Sequence, residues 1–332
     1  MEKDNQKFST GMILGKFMPP HRGHQHLIDY ARARTRSLTV LVCSLMNEPV
    51  PGHIRFEWMK ELYPDLNIVH VMDENPSEPG EHPEFWEIWT DTIRRNMPTA
   101  PDVVFTSESY GDELARRLNA RHVLVDLSRA HVPVSATQIR ANPFEHWPYI
   151  PDCVRPYFVK RVAVVGAEST GKTTLARNLA EHYNTVWVPE YARQYLDSKN
   201  AHCELSDITH IARGQMESES RLARLSNRVI FCDTDLMTTT VWSDHYFGQC
   251  PDWIKQAACE HRYDLSLLTD IDVKWVADPQ RDRPHMRDYF HECFRRELES
   301  RQRRFVIING SFDERFKRAV SAVDELFVRR SE

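Results

Sequence analysis

The chain has 332 residues, a formal net charge of −5, 41% hydrophobic and 27% charged residues. That length allows two domains of ordinary size, and that composition is globular, which excludes a fibrous or disordered chain. The mild negative charge, with acids interleaved among the arginines, argues against a nucleic-acid groove or an anionic membrane surface; even Arg301-Gln302-Arg303-Arg304 reads as a solvated helix face.

The seven cysteines, Cys43, Cys153, Cys203, Cys232, Cys250, Cys259 and Cys293, form no C-x-x-C pair. Neither a zinc ribbon nor a redox motif is indicated, and scattered thiols fit a reducing cytosol. Met1 to Thr10 is polar and unlike a signal peptide, and no apolar run approaches the ~20 residues that span a bilayer. A cytoplasmic protein is expected, with no membrane and no nucleic-acid partner. The sequence leaves oligomeric state open, a homo-oligomer included.

In chain order, Met12–Leu14, Leu38–Cys43, Ile68–Val71, Val103–Thr106 and Val123–Val125 read as short buried strands. Helical patterns alternate with them at His24–Arg34, Ile54–Tyr63, Phe85–Asn96 and Asp112–Asn119. Asn142 to Tyr157 is rich in Pro and aromatics and has no Gly or Ser, which suits a packed connector. From Lys160 the alternation starts afresh. Strands are expected at Val162–Val165, Val186–Val188, Val229–Cys232, Leu265–Leu268 and Phe305–Ile308, and helices at Thr173–Tyr183, Asp207–Leu225 and Arg287–Glu299. Such alternation implies parallel sheets with helices on both faces. The expected fold is α/β with two doubly wound domains, residues 1–141 and 160–332, joined by a connector over 142–159. The halves share no motif, so the chain is a fusion and not a duplication.

The first apolar run leads into Gly15-Lys16-Phe17-Met18-Pro19-Pro20-His21-Arg22-Gly23-His24. Gly23 at a strand-to-helix turn allows close approach of backbone to ligand, and helix amides aimed at the turn favour an anion. His21 and His24, three residues apart, can together hydrogen-bond a phosphate as charge builds in a displacement at phosphorus. Lys16 adds a cation. Alone, the two histidines would equally suit a helix cap or a metal. Val134-Ser135-Ala136-Thr137-Gln138-Ile139-Arg140 shifts the balance. A helix capped by Ser135 or Thr137, with Arg140 one turn in, is a second anion site suited to a leaving pyrophosphate.

H-x-G-H paired with a later S-x-T-x-x-R resembles the nucleotidyltransferase superfamily, with Val134 where that family often has Ile. The resemblance implies a Rossmann-like nucleotidyltransferase domain that lines up a substrate phosphate with the α-phosphate of ATP and forms no covalent intermediate. No serine or cysteine nucleophile is arranged with a base in the sequence. On the acceptor side, Trp86 and Trp89 suit either a ring platform or core packing, and Arg55 either a substrate phosphate or the surface. This half resembles the archaeal-type nicotinamide-nucleotide adenylyltransferases. That likeness implies that Arg55 contacts phosphate and Trp86 stacks on nicotinamide, with Ile54 departing from a commoner acid. Phe105 to Gly111 looks like that family's loop near the nucleotide.

Gly166-Ala167-Glu168-Ser169-Thr170-Gly171-Lys172-Thr173 fits G-x-x-x-x-G-K-S/T, between a β-rich run and a helical pattern, as a P-loop requires. Gly166 and Gly171 shape the loop whose amides wrap phosphate oxygens, Lys172 reaches the β- and γ-phosphates of ATP, and Thr173 serves Mg²⁺. Asp233 ends an apolar strand where a second Mg²⁺ group is expected. Glu190 and Asp235 are rival candidates for the base that takes the proton of an attacking hydroxyl; either acid equally suits a salt bridge, for example Glu190 with Arg193. Asp278-Pro279-Gln280-Arg281-Asp282-Arg283, with Arg287, reads as a lid whose arginines close on transferring phosphate, or as a surface Arg–Asp network.

This half resembles the ribosylnicotinamide kinase domain of bifunctional NadR-type proteins, and the likeness runs through Pro189-Glu190-Tyr191-Ala192-Arg193, Gly214-Gln215, Asp233-Thr234-Asp235 and Tyr263-Asp264-Leu265. The junction Arg140-Ala141-Asn142-Pro143-Phe144 resembles that family as well. Two departures stand out. Repressor members begin with a helix-turn-helix domain, whereas only Met1 to Gly11 precede the first strand, so that domain is expected to be absent. The lid carries Asp278-Pro279 where the family reads Asp-Gly, and Pro removes an amide and fixes φ. The resemblance implies a bifunctional enzyme of NAD biosynthesis and salvage. Its P-loop kinase domain phosphorylates nicotinamide riboside to NMN, with Arg193 on the substrate side, and its adenylyltransferase domain joins NMN to ATP, giving NAD and pyrophosphate. The alternative is one active adenylyltransferase regulated by a nucleotide-sensing P-loop domain. The sequence does not distinguish an amide from an acid substrate, nor a different acceptor such as pantetheine phosphate.

Overall fold

The computed structural model describes residues 7–199, 202–278 and 283–328. The chain divides into two compact units, Met1–Val154 and Arg155–Glu332. The division falls inside the expected connector, where 3-10 turns occupy Trp147–Tyr149 and Arg155–Tyr157 and where Trp147, Ile150 and Val154 are buried.

The first unit holds a five-stranded sheet of order β3-β2-β1-β4-β5, all parallel. Its strands are β1 Phe8–Gly15, β2 Thr35–Cys43, β3 Asn67–Val71, β4 Val103–Thr106 and β5 Arg121–Leu124. Its helices are α1 Arg22–Arg34, α2 Gly52–Leu62, α3 Phe85–Asn96, α4 Gly111–Arg117 and α5 Ala136–Ala141. Successive strand residues go to opposite faces. Ile13 and Val40 thus pack with Leu27, Ile28 and Met59 of α1 and α2. Met12 and Leu41 pack with Ile93 and Leu114 of α3 and α4. The strand order reverses at β1, and a doubly wound sheet opens its ligand crevice at that switch, beyond the carboxyl ends of the strands.

The second unit repeats the plan with another sheet, of order β10-β9-β6-β8-β7, again parallel. Its strands are β6 Lys160–Gly166, β7 Trp187–Val188, β8 Val229–Asp233, β9 Leu265–Thr269 and β10 Phe305–Ile308. Its helices are α6 Lys172–His182, α7 Tyr191–Lys199, α8 Leu205–Ala223, α9 Leu236–Phe247, α10 Asp252–Glu260, α11 Arg287–Ser300 and α12 Phe312–Asp324. One face of the sheet packs on Leu175 and Leu179 of α6 and Val323 of α12. The other packs on Met237 of α9 and on Phe290 and Phe294 of α11. Burying each of those phenylalanines contributes about 2 kcal/mol before ordering costs. Among the described residues, no helix is long and apolar enough to cross a membrane.

Candidate active sites

β1 runs into the first site. His21 is the N-cap of α1 in extended backbone, and its Nδ1 accepts a hydrogen bond from Gly23 N at 3.0 Å. Accepting there leaves Nε2 to carry the proton of the neutral ring. A Cβ on Gly23 would lie 2.9 Å from His21 Cε1 and 3.0 Å from Nδ1, so only glycine lets the histidine fold back on its own helix. The His21 and His24 rings lie 3.8 Å apart between centroids. Burial, and then the charge of Arg129, lowers the pKa of His21 to about 4. Burial, His21 and Arg129 hold His24 well below the usual histidine range. Both rings are therefore neutral donors at neutral pH, and His24 Nδ1 is buried with no hydrogen-bond partner among the described residues.

These rings line a cavity of about 210 Å³, together with Gly23, Arg129, Ser135 and Thr137. Ser135 caps α5 by a capping box, accepting from Gln138 N at 3.2 Å while its own N donates to Gln138 Oε1 at 2.8 Å. Arg140 donates to the Met18 carbonyl and to Thr137 Oγ1 at 3.3 Å, which ties α5 to the turn before His21. Arg129 is the residue that sequence reasoning missed here. It sits in the loop after β5 with φ 54°, and no motif flags it.

Ser107 and Glu108, in the Phe105–Gly111 segment expected near the nucleotide, also line that cavity, whereas Lys16, Arg55 and Trp86 lie outside its lining. Lys16 Nζ pairs with Glu48 at 3.1 Å and donates to Ser77 Oγ at 3.2 Å. Arg55 requires a correction. It is fully buried and donates to the carbonyls of Lys16 and Cys43 and to the Glu48 carboxylate. Its guanidinium thus holds the end of β1 to the end of β2 and is closed to a substrate phosphate. Trp86 is partly buried against the Met12–Leu41 face. Phe85 meets its ring edge-on, and the Arg117 guanidinium lies 5.6 Å from its centroid.

β6 delivers the P-loop in the second unit. The loop takes positive φ at Gly166, Ser169 and Gly171, and α6 starts at Lys172. Lys172 Nζ donates to the Ala167 carbonyl at 2.9 Å, which places it over the loop. Thr173 Oγ1 donates to Asp233 Oδ2 at 2.5 Å. Asp233 Oδ1 is buried and has no hydrogen-bond partner among the described residues. Burial, and then the charge of Glu190, pushes the Asp233 carboxyl up to about 7. An orphaned carboxylate oxygen beside a hydroxyl, in surroundings that disfavour its charge, fits a divalent cation.

A cavity of about 860 Å³ opens here, lined by the P-loop, Glu190, Arg193 and Arg283, with Trp242 and Tyr246 of α9 as an aromatic wall. Glu190 follows β7 and is set by the next residue, whose backbone N donates to Gln215 Oε1 at 3.0 Å. That contact needs Gly214, because a Cβ there would lie 2.1 Å from the Tyr191 ring. Asp235, the rival candidate, requires a correction. Thr234 turns the chain with φ 69°, and Asp235 points into the protein as the N-cap of α9. It accepts from Thr238 N at 2.8 Å and Thr238 Oγ1 at 2.9 Å and pairs with Arg303. With no exposed surface, it cannot meet a substrate hydroxyl.

Arg193, expected on the substrate side, and the arginines expected in a lid separate. Arg193 pairs with Asp278 at 2.9 Å, and Arg283 lies 5.4 Å from the Tyr246 ring centroid at the cavity. Arg287 lies outside the cavity lining. It donates to Val273 O at 2.9 Å and to Ser169 O at 3.5 Å, so it braces the loop from behind. Arg281 and Pro279 lie outside the described residues.

A family described as "AAA domain" matches residues 161–315. The chain is 32% identical to the trifunctional NAD biosynthesis/regulator protein NadR of Escherichia coli (strain K12), across 98% of this chain and 85% of the relative. The chain belongs to the NadR family. A crystal structure of NadR protein in complex with NR has a TM-score of 0.81 and 26% identity, covering 99% of both chains. A second NadR structure, in complex with NAD and AMP-PNP, has a TM-score of 0.82 at 26% identity over the same shares. In NadR terms, the His21–His24 cavity and the P-loop cavity belong to separate units of one chain.

Proposed function

We propose that this NadR-family chain carries out two consecutive reactions. The second unit phosphorylates nicotinamide riboside with ATP to give NMN, and the first unit joins NMN to the AMP part of ATP, giving NAD and pyrophosphate. One observation carries the reading: one chain holds a P-loop cavity with a carboxylate at hand and a separate cavity faced by two neutral histidines.

In the kinase unit Glu190 takes the proton of the riboside 5′-hydroxyl as it attacks the γ-phosphate. Lys172 and the loop amides hold the transferring phosphate. Thr173 and Asp233 would hold a divalent cation, for which we propose Mg²⁺, and a cation there would supply charge neutralisation for the transferring phosphate. Trp242 and Tyr246 give a planar ring an apolar wall, and Arg193 and Arg283 stand where a closing lid meets the nucleotide. In the adenylyltransferase unit a phosphate oxygen of NMN attacks the α-phosphate of ATP. His21 and His24 donate to the oxygens on which charge grows, Ser135 and Thr137 receive the leaving pyrophosphate, and Arg140 fixes their helix. Lys16 is our candidate on the ATP side and Trp86 on the NMN side. We place the reactions in the cytoplasm, acting on small molecules and not on nucleic acid.

The test supplies nicotinamide riboside, ATP and Mg²⁺ and follows products by chromatography. NAD accumulating through NMN is expected. NAD formed from NMN but never from riboside would sink the kinase assignment and favour a regulatory P-loop unit.

A further inference from the structure

Three side chains beside the first cavity have no part in the reaction above. His26 lies on α1, two residues past His24. Asp126 and His131 lie in the loop from β5 to α5. Each offers one ligand atom, and these atoms all lie within 4.8 Å of one another. His131 Nδ1 stands 3.3 Å from Asp126 Oδ1, and the His26 and His131 rings are stacked with centroids 5.0 Å apart. The carboxylate is itself oriented: it accepts from Ala130 N at 2.8 Å and from His131 N at 3.2 Å. The loop is bent back on itself to do this. Asp126 and Arg129 hold φ of 50° and 54°, a left-handed conformation that costs non-glycine residues about 1 kcal/mol or more and collects at functional positions.

Two imidazoles and a carboxylate are the donor set of three-ligand zinc-class sites that leave a fourth position open. Metal–ligand bonds of about 2.0–2.2 Å put neighbouring ligand atoms roughly 3.3–3.6 Å apart in a tetrahedron. The Asp126–His131 pair is already at that spacing, and rotation of the His26 side chain closes the remainder. We propose that His26, Asp126 and His131 bind one divalent transition-metal ion of the zinc class. The ion joins α1 to the β5–α5 loop and so fixes the wall that carries Arg129. His26 and Asp126 also line the cavity of His21 and His24, which puts the ion's charge beside the place proposed for the ATP phosphates. The binding claim stands apart from the proposed reactions.

The test uses the untagged full chain, stripped with chelator and free of nucleotide, titrated with Co²⁺. One equivalent is expected to give the intense visible bands of four- or five-coordinate cobalt, erased by Zn²⁺. An octahedral all-oxygen site, as a cation held by Thr173 and Asp233 would have, gives only weak bands. Asp126→Asn and His131→Gln should each lower the affinity at least tenfold, with an unchanged urea unfolding midpoint of the first unit in the metal-free chain as the control for folding. His131, whose side chain is 70% exposed, also permits a variant that keeps a ligand. His131→Cys should retain the bound cobalt and add a thiolate-to-cobalt charge-transfer band. The proposal falls if the wild type gives only weak bands, if the first two variants bind as the wild type does, or if His131→Cys shows no charge-transfer band.

Discussion

Asp233, Asp235 and Glu190 are all carboxylates near the end of a strand, yet their surroundings give them different work. Asp235 has both oxygens taken by Thr238 and Arg303, so removing its charge leaves Arg303 buried and unpaired. Asp235→Asn is expected to cost about 3 kcal/mol in unfolding free energy by urea titration, while the folded variant keeps riboside phosphorylation within a few-fold. Glu190→Gln should do the reverse, lowering kcat for phosphorylation by roughly 10²–10⁴ with the fold intact. If Asp235→Asn alone abolished the chemistry in a stable protein, the assignment of the base would be wrong. The histidine of the other site makes a pH-dependent contribution. The folded pKa of His21, about 4, lies below the ordinary histidine value of 6.5. Above pH 6.5 both states hold the ring neutral, and it adds no pH dependence. Below 6.5 the unfolded chain binds a proton that the folded chain refuses, so stability is lost as pH falls towards 4. Between pH 7 and pH 5 this one ring is expected to remove about 2 kcal/mol. His21→Asn, which keeps an acceptor for Gly23 N, should narrow the wild-type difference between those two pH values by that amount in urea titrations; an unchanged difference would refute the neutral, buried ring.

At the level of elements, the strands were the legible part. The apolar runs of β2, β4 and β8 are buried on both faces, and such runs stand out in a sequence. The P-loop and the His21–His24 turn were legible for a different reason: each packs its chemistry into one short stretch at a strand end. What the sequence hid depends on distant contacts. α9 contains Thr238, Thr239, Thr240 and Val241 in a row, a β-branched run of weak helix propensity. It forms because Asp235 caps its start and Met237 packs under Phe290 and Phe294. Arg315 is equally silent in sequence. It lies on α12, more than a hundred residues past the P-loop, yet it donates to Thr170 O at 2.7 Å and Asp270 O at 2.9 Å and pairs with Asp272. It therefore holds the loop after β6 to the end of β9. Arg55 misled for the converse reason. An arginine after a turn looks like an anion binder, and only the fold reveals that this one is fully buried, with Glu48 and two carbonyls accepting from its two terminal nitrogens.

For the whole molecule, the two units share a product and not a site. NMN leaves the P-loop cavity and is the acceptor at the His21–His24 cavity, so the proposed chemistry predicts that each unit can be silenced alone. Lys172→Ala removes the cation over the loop; it should end use of riboside and leave conversion of NMN to NAD unchanged. His24→Ala removes a donor from the other cavity; it should turn riboside into NMN that accumulates. Neither variant alone should make NAD from riboside. Mixed together they should, because NMN released by His24→Ala is free to reach Lys172→Ala through solution. NAD should then appear after a lag that shortens as either variant is increased, since it must wait for NMN to approach the KM of the second enzyme. The wild type, with both units active, is the reference for that lag. If the mixture makes no NAD although Lys172→Ala still converts added NMN, then His24→Ala does not release its NMN to solution. If Lys172→Ala loses NMN use as well, the two cavities are not chemically separate, and the division of labour proposed for this chain fails.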